Sequence, residues 1–177
     1  MHFSGCQSIE ELILPSSVVR LGISSFEGCC GLRSINLSAV KYIDNSAFKG
    51  CSGLTSVVIP PSLLGIGSAV FRNCENLKSV TINNNEISSK DTNYSYPMKS
   101  RLEEIFGPQV QEYKWGDDVI VIGRYTCYGL TELKSIILGN NLKKIGNGAF
   151  YICEGISSIN IPSNVESIQD YAFTCCI

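Results

Sequence analysis

The stretch LTSVVIPPSLLGIGSAVFRNC, residues 54–74, contains one complete unit of a pattern that recurs along the chain. A second stretch, ISSINIPSNVESIQDYAFTCC at residues 156–176, repeats its apolar positions, its Pro and its Phe-to-Cys spacing. A self-similar pattern with a period of about 23 residues is typical of solenoids, in which each unit stacks on the one before. The repeat therefore determines the predicted fold class.

Two positions show the repeat most clearly: a Phe, and a Cys three residues after it. The Phe position holds Phe3, Phe26, Phe48, Phe71, Phe150 and Phe173. The Cys position holds Cys6, Cys29, Cys51, Cys74, Cys153 and Cys176. In this alignment Phe106 is the one Phe that falls outside the Phe position. Stacking equal positions builds a continuous core, so we predict a spine of Phe rings.

Each unit opens with an apolar-x-x-apolar-x-apolar stretch, such as LKSVTI at residues 77–82. Alternation with β-branched residues predicts a short strand that has one buried face. Seven units align, beginning at Ile9, Leu32, Leu54, Leu77, Val110, Leu133 and Ile156. We therefore predict an α/β-type or mainly-β solenoid: a right-handed leucine-rich-repeat superhelix with a parallel sheet of about seven short strands. Residues 1–177 would form this single domain, in about seven units of 22–23 residues.

The consensus L-x-x-I-x-I-P-x-x-V-x-x-I-x-x-x-A-F-x-x-C resembles the BspA-like leucine-rich repeats, and residues 54–74 and 156–176 carry it clearly. The stretch IFGPQVQEY, residues 105–113, also resembles a variant unit of such arrays. This resemblance implies a surface protein of host-associated bacteria or mucosal parasites. It further implies a cell-surface or secreted location and, for some members, adhesion to host matrix proteins or cells.

An insertion interrupts the repeat near residues 83–101 and is rich in Asn and Ser. We expect it to be irregular, with Ile105 and Phe106 returning to the core. Loop-closure entropy grows slowly with length, so the insertion is either merely tolerated or functional. Tyr94 and Tyr96 favour a binding role, because exposed Tyr side chains can anchor an interface.

The unit after the insertion departs from the pattern, with Cys127 in the Phe position and Leu130 in the Cys position. A small residue replaces a large one while a larger residue replaces a small one nearby. This predicts an exchange of volume within the core, and a reactive thiol at Cys127 is the minor alternative. Trp115 falls at an inward-pointing strand position and is expected to be buried.

The third and fifth positions of each strand point away from the core and form two columns of polar and aliphatic residues. Repeat proteins use such extended surfaces for partners, so these columns give the candidate partner-binding residues, together with the two insertion tyrosines. They are Ser56, Ser79, Thr81, Tyr94, Tyr96, Glu112, Lys114 and Ser135. The alternative is that the columns are the featureless face of a spacer.

The composition argues against other classes of function. A net charge of −2 without a basic stripe makes nucleic acid an unexpected partner, and no apolar run is long enough for membrane insertion. The only His is His2 and no CxxC pair occurs, so neither a triad nor a zinc site is expected. We predict no catalytic residue, no cofactor and no metal. Phased cysteines indicate reduced, buried thiols, with Cys30 and Cys175 exposed.

The function predicted from the sequence is non-enzymatic recognition of a protein partner, with host matrix proteins among the candidates. One alternative is a structural stalk within a larger surface protein, and another is an intracellular scaffold. No signal peptide begins the chain, and both ends fall within a unit. We therefore expect a fragment of a longer array, or ends that pair with a second copy.

Overall fold

The computed structural model describes residues 3–92 and 99–176, and these residues form a parallel-strand solenoid of about seven turns. Each regular turn has two short strands on opposite sides of the core. The front strands are β1 (Glu11–Leu12), β3 (Ser34–Ile35), β5 (Ser56–Ile59), β7 (Ser79–Ile82), β8 (Glu112–Trp115) and β10 (Ser135–Ile137). The back strands are β2 (Arg20–Leu21), β4 (Tyr42–Ile43), β6 (Gly65–Ile66), β9 (Val121–Ile122), β11 (Lys144–Ile145) and β12 (Ser167–Ile168). The predicted solenoid is confirmed.

The front strands do not make one uninterrupted sheet. Strands β5, β7, β8 and β10 form a continuous parallel sheet, while β1 pairs only with β3, and residues 156–161 form no strand. Both interrupted units carry Asn at the fifth position, Asn36 and Asn160. The side chain of Asn36 accepts a hydrogen bond from the Ser38 N–H at 3.0 Å, which favours a local turn over a ladder.

The Phe rings stack as the repeat predicts. Ring centroids lie 5.4 Å apart from Phe3 through Phe26 and Phe48 to Phe71, with nearly parallel planes. The exclusion of Phe106 from this position is wrong, because its ring stacks on Phe71 at 5.5 Å. The Phe71 N–H also bonds to the Ile105 carbonyl, as the Phe48 N–H bonds to that of Val70. All seven Phe residues therefore share one stacking position, and the insertion had hidden the seventh.

Six turns bend sharply on either side of the Phe position, those of Phe26, Phe48, Phe71, Cys127, Phe150 and Phe173, because two backbone positions there adopt positive φ angles. Gly occupies one of them in four turns, where its missing Cβ removes the steric penalty. That column holds Gly5, Gly28, Gly50, Asn73, Gly129, Ile152 and Cys175. The two bends turn the chain around the Phe ring and direct it inward.

The described residues of the insertion include regular structure. They contain two short helices, α1 (Asn85–Ser89) and α2 (Arg101–Phe106). Asn84 caps α1 by accepting the Ile87 N–H, and Ser100 caps α2 by accepting the Glu103 N–H. Ser88 takes the place of a back-strand residue. Its carbonyl accepts a hydrogen bond from the Gly123 N–H, just as the carbonyl of Ile122 in β9 accepts one from the Gly146 N–H in the next turn. The helices thus complete one turn of the solenoid rather than leaving it.

The small side chain of Cys127 is compensated by larger side chains nearby, but not chiefly by Leu130 as predicted. Cys127 occupies the Phe position, and its N–H bonds to the Ala149 carbonyl. The space that a Phe would fill is taken by Tyr113 and Trp115 of β8, whose rings connect Phe106 to Phe150 through contacts of 5.7–6.0 Å. Trp115 is buried, as predicted, and its Nε1 donates to the Ser88 Oγ at 3.1 Å. Compensation therefore comes chiefly from the front strand.

Candidate functional site

The outward surface of strands β5, β7, β8 and β10, hereafter the front face, is the candidate functional site. Side chains along β5 alternate between exposed and buried, so every second residue faces solvent. In-register pairing aligns these residues into columns across the four strands. One column reads Ser56, Ser79, Glu112 and Ser135, and the other reads Val58, Thr81, Lys114 and Ile137.

Six of the eight predicted site residues lie together on this face: Ser56, Ser79, Thr81, Glu112, Lys114 and Ser135. Tyr94 and Tyr96 lie outside the described residues. The structure therefore unites the predicted strand residues on one surface. Their role in binding stays a prediction.

One side-chain hydrogen bond crosses the centre of the front face. The Oγ of Ser79 donates to the Glu112 carboxylate at 2.9 Å. Aliphatic side chains flank this pair, with Val58 54% exposed and Ile137 44% exposed. The face thus combines hydroxyl groups, a carboxylate and solvent-exposed aliphatic surface, which is a composition that can bury area against another protein.

Two exposed lysines border the front face, just before its two predicted columns. Lys78 and Lys134 occupy the residue just before strands β7 and β10, and both are exposed. The Gln111 N–H bonds to the Lys78 carbonyl and the Lys134 N–H to the Gln111 carbonyl, so these residues form a third column. Strand alternation does not predict this column, because the alternation starts at the third position of each unit. The repeated Lys in LKSVTI and LKSIIL was the available signal.

A tyrosine cluster on the turn edge was also missed. Tyr125, Tyr128 and Tyr151 are half-buried, with ring centroids 5.9 and 5.7 Å apart in sequence order. The guanidinium of Arg124 lies over the Tyr125 ring, 4.9 Å from its centroid. Corresponding positions in earlier turns hold small or charged residues, so no repeated signal marks the cluster. These rings pack mainly against one another.

Short polar contacts fix the insertion against both neighbouring turns. The side chain of Asn84 donates to the Leu63 carbonyl at 2.7 Å. Asn85 accepts the N–H groups of Ile120 and Val121 at 2.9 and 3.0 Å. On the same following turn as Ile120, the Asp91 carboxylate accepts the Arg124 N–H at 2.7 Å. The Asn-rich composition therefore serves at least partly to join α1 to the solenoid.

A cleft of about 480 Å³ opens beside α2 and is lined in part by Arg72, Glu75, Lys99 and Glu103. Lys99 and Glu103 form an ion pair at 3.8 Å across this lining. Because cations and carboxylates alternate, the cleft presents no single charge to a ligand. We therefore place the candidate site on the front face.

The phased cysteines form a ladder of free thiols. From Cys29 onward, each thiol in the Cys position donates to the carbonyl of the Phe-position residue one turn earlier, as Cys51 does to Phe26 at 3.1 Å and Cys74 to Phe48 at 3.2 Å. Burial raises the pKa of the Cys51, Cys74 and Cys153 thiols to about 12. Thiols held in this protonated state are poor nucleophiles and poor metal ligands.

Within residues 3–92 and 99–176, no group of three or more His, Cys, Asp or Glu side chains is arranged to hold a metal ion. Cys127 is buried, and burial raises its pKa well above the ordinary thiol value. That shift disfavours the thiolate and hence the reactive-thiol alternative. No helix in the described part of the chain is long and apolar enough to span a membrane.

The chain matches the sequence family described as the BspA type leucine rich repeat region. The match comprises six copies of the repeat and covers residues 1–99 and 106–177. The chain is also similar to a leucine-rich repeat protein from Eubacterium ventriosum ATCC 27560. The two share 23% identity and a TM-score of 0.71, over 99% of this chain and 45% of that one. No curated protein matches.

Two further solved structures are similar. A leucine rich cell surface protein from Faecalibacterium prausnitzii A2-165 shares 21% identity over 98% of this chain and 53% of that chain, with a TM-score of 0.46. The pneumococcal vaccine antigen PcpA shares 22% identity over 90% of this chain and 47% of that one, with a TM-score of 0.43. This chain therefore spans about half the length of these relatives.

Proposed function

Because the chain belongs to the BspA-type leucine-rich repeat family, we propose that it is a non-enzymatic module that recognises a protein partner through its front face. The observation that carries this proposal is the in-register exposure of aliphatic and hydroxyl side chains across four adjacent strands. Val58 and Ile137 lie on this surface with about half of each side chain in water. Covering such groups against a partner is favourable, at roughly 25 cal/mol per Å² of apolar area.

We further propose that the module acts at a bacterial cell surface, as the family resemblance implies, and that its partner is a host matrix protein. A solenoid suits this task because it presents a long, rigid surface built from short units. Helix α1 occupies the position of a back strand in the turn that β7 opens, so it lies across the core from the front face.

Biolayer interferometry of the chain against immobilised fibronectin, fibrinogen and collagen tests the proposal. The front-face variant is Val58→Glu with Ile137→Glu, which leaves buried residues untouched. Its matched control is Leu64→Glu with Ile120→Glu, because these residues are 58% and 48% exposed and lie just before back strands β6 and β9. We expect saturable binding that the front-face variant loses and the control retains.

Equal loss in the two variants would remove the front face as the recognition surface. Flat traces from folded protein on all three matrix proteins would exclude them as partners. A chain that also captures nothing at the surface of host cells would favour a stalk that displays another part of a larger protein.

End-to-end self-association stays a prediction. In the first described turn, an apolar cleft is lined by Phe3, Leu12, Ile13 and Val18 among others, and Ile13 is largely exposed. Light scattering over a concentration series tests it: a dimer that Ile13→Glu disperses would support pairing, and a sharp monomer at high concentration would rule it out.

A further inference from the structure

The front face differs in charge from the chain as a whole. The chain carries a net charge of −2. Three exposed lysines nevertheless lie on the front face or in the column just before it, Lys114 on the face and Lys78 and Lys134 in that column. The single carboxylate in these columns is that of Glu112. Positive charge is therefore concentrated on the surface that the proposed function uses.

That one carboxylate is already engaged. Glu112 is half-buried and accepts a hydrogen bond from Ser79 at 2.9 Å. Among the described residues, none of the three lysines takes part in an ion pair within 4.0 Å. Elsewhere on the solenoid lysines do pair across turns, as Lys49 does with Glu27 and Lys143 with Glu166. The front-face lysines thus remain available to an external carboxylate.

Strand geometry sets the spacing of these charges. Lys78 and Lys134 belong to one column on strands two positions apart, so their Cα atoms are about 10 Å apart. Lys114 lies three residues along the chain from Gln111, the middle member of that column, which is again about 10 Å. In an extended peptide, side chains two residues apart lie on the same face and about 7 Å from each other. Carboxylates at such positions come within reach of flexible lysine side chains whose Cα atoms are about 10 Å apart.

We infer that the front face binds an acidic segment of its protein partner, with Lys78, Lys114 and Lys134 contacting carboxylates. This inference rests on the proposed function and specifies the chemistry of the partner. A protein is favoured over nucleic acid because exposed aliphatic side chains, Val58 and Ile137, lie among the lysines.

A labelled peptide in which Glu and Thr alternate, and its counterpart with Gln for Glu, are the probes. Fluorescence anisotropy measures their affinity for the full chain at low and at high salt. The test variant is Lys78→Gln with Lys134→Gln. Its matched control is Lys41→Gln with Lys144→Gln, because these two lysines lie on the back side and take part in no ion pair among the described residues.

We expect the Glu peptide to bind more tightly than the Gln peptide, with an advantage that shrinks as salt rises. We expect the test variant to weaken Glu-peptide binding by about tenfold and the control by less than about twofold. Equal affinity for the two peptides, or equal loss in test and control variants, would overturn the inference. So would an oligothymidylate that binds at least as tightly as the Glu peptide.

The failure of this inference can be told apart from failure of the proposed function. If Val58→Glu with Ile137→Glu abolishes capture of a matrix protein but the lysine variant does not, the recognition surface stands and its acidic preference is wrong. If the Glu peptide binds through the lysines while capture is unaffected by any front-face variant, the proposed surface is wrong for that partner.

Discussion

Gln109 donates its side-chain N–H to the Phe106 carbonyl at 2.7 Å and to the Cys74 carbonyl at 3.1 Å. In regular turns the carbonyl of the Phe-position residue accepts a thiol from the following turn, as that of Cys127 does from Cys153 at 3.0 Å. The turn after Phe106 has Leu130 in the Cys position and offers no thiol. The amide of Gln109 therefore replaces the hydrogen bond that Leu130 cannot make.

Replacing Gln109 with Ala should leave the Phe106 carbonyl without its side-chain donor. We expect a loss of about 1–3 kcal/mol in the free energy of unfolding, measured by urea denaturation. Adding Leu130→Cys to this variant should restore part of the loss, because the new thiol can donate to Phe106. In a double-mutant cycle, strictly additive effects of the two substitutions would show that Gln109 does not substitute for the missing thiol.

The repeat period predicted the solenoid and most of its core, but it failed where the period itself was broken. Phe106 follows Phe71 by more than one period, so alignment on a fixed spacing placed it outside the stack. Gln109 then could not be assigned to the Cys position, since that assignment depends on Phe106. The compensation at Cys127 comes from Tyr113 and Trp115, which lie at ordinary inward strand positions and give no signal of their own.

The front face was partly predictable for the same reason. Alternation within strands placed Ser79, Glu112 and Lys114 on one surface, because strand geometry fixes which side each residue faces. The column of Lys78 and Lys134 precedes the strands, where the chain has not yet begun to alternate, so strand alternation does not predict it. Charge pairing across turns depends on three-dimensional register, so the availability of these lysines required the structure.

Tyr113→Phe should stabilise the protein. The Tyr113 hydroxyl is fully buried and has no hydrogen-bond partner among the described residues. Removing an unsatisfied polar group from the core should raise the free energy of unfolding by about 1–2 kcal/mol. Trp115→Phe is the control with the opposite expectation, because it deletes the bond from Nε1 to Ser88. A fall in stability for Tyr113→Phe would mean that its hydroxyl does have a partner.

Gly53→Ala should destabilise the solenoid by about 1–3 kcal/mol. A Cβ at Gly53 would lie 2.6 Å from the backbone oxygens of both Cys30 and Leu32, so adjacent turns would have to separate. Gly22→Ala is the matched control, because a Cβ there has no neighbour within 4 Å. Thermal unfolding monitored by circular dichroism should show a lower midpoint for Gly53→Ala alone. Equal midpoints for the two variants would refute the close approach of the turns.

Cys30 and Cys175 should react first with iodoacetamide in the folded protein, because they are the two exposed cysteines among the described residues. Half-buried Cys6 and Cys176 should follow, and the five buried thiols should react only after unfolding in urea. Mass spectrometry after a short pulse identifies the labelled sites. If the protein took up little label in urea and took up more only after a reductant was added, the cysteines of adjacent turns would instead be joined by disulfides.

Stability should fall as the pH rises above about 9, because the buried thiols resist ionisation in the folded state. Burial raises the pKa of Cys51, Cys74 and Cys153 to about 12, whereas an unfolded chain releases these protons near pH 8.5. Between these values the unfolded state binds fewer protons than the folded state, so the free energy of unfolding decreases with pH. Between these two pKa values each thiol lowers the free energy of unfolding by up to about 1.4 kcal/mol per pH unit. Below about pH 8.5 the thiols are protonated in both states, so their full contribution to stability is present.

Urea unfolding at a series of pH values measures this slope. Cys74→Ala removes one ladder thiol and should make the slope shallower by up to about 1.4 kcal/mol per pH unit. Cys30→Ala is the control, because Cys30 is exposed and its replacement should leave the slope unchanged. Identical slopes in the wild type and Cys74→Ala would show that the Cys74 thiol ionises equally in both states. Burial of Cys74 would then not hold the proton on its sulfur in the folded state.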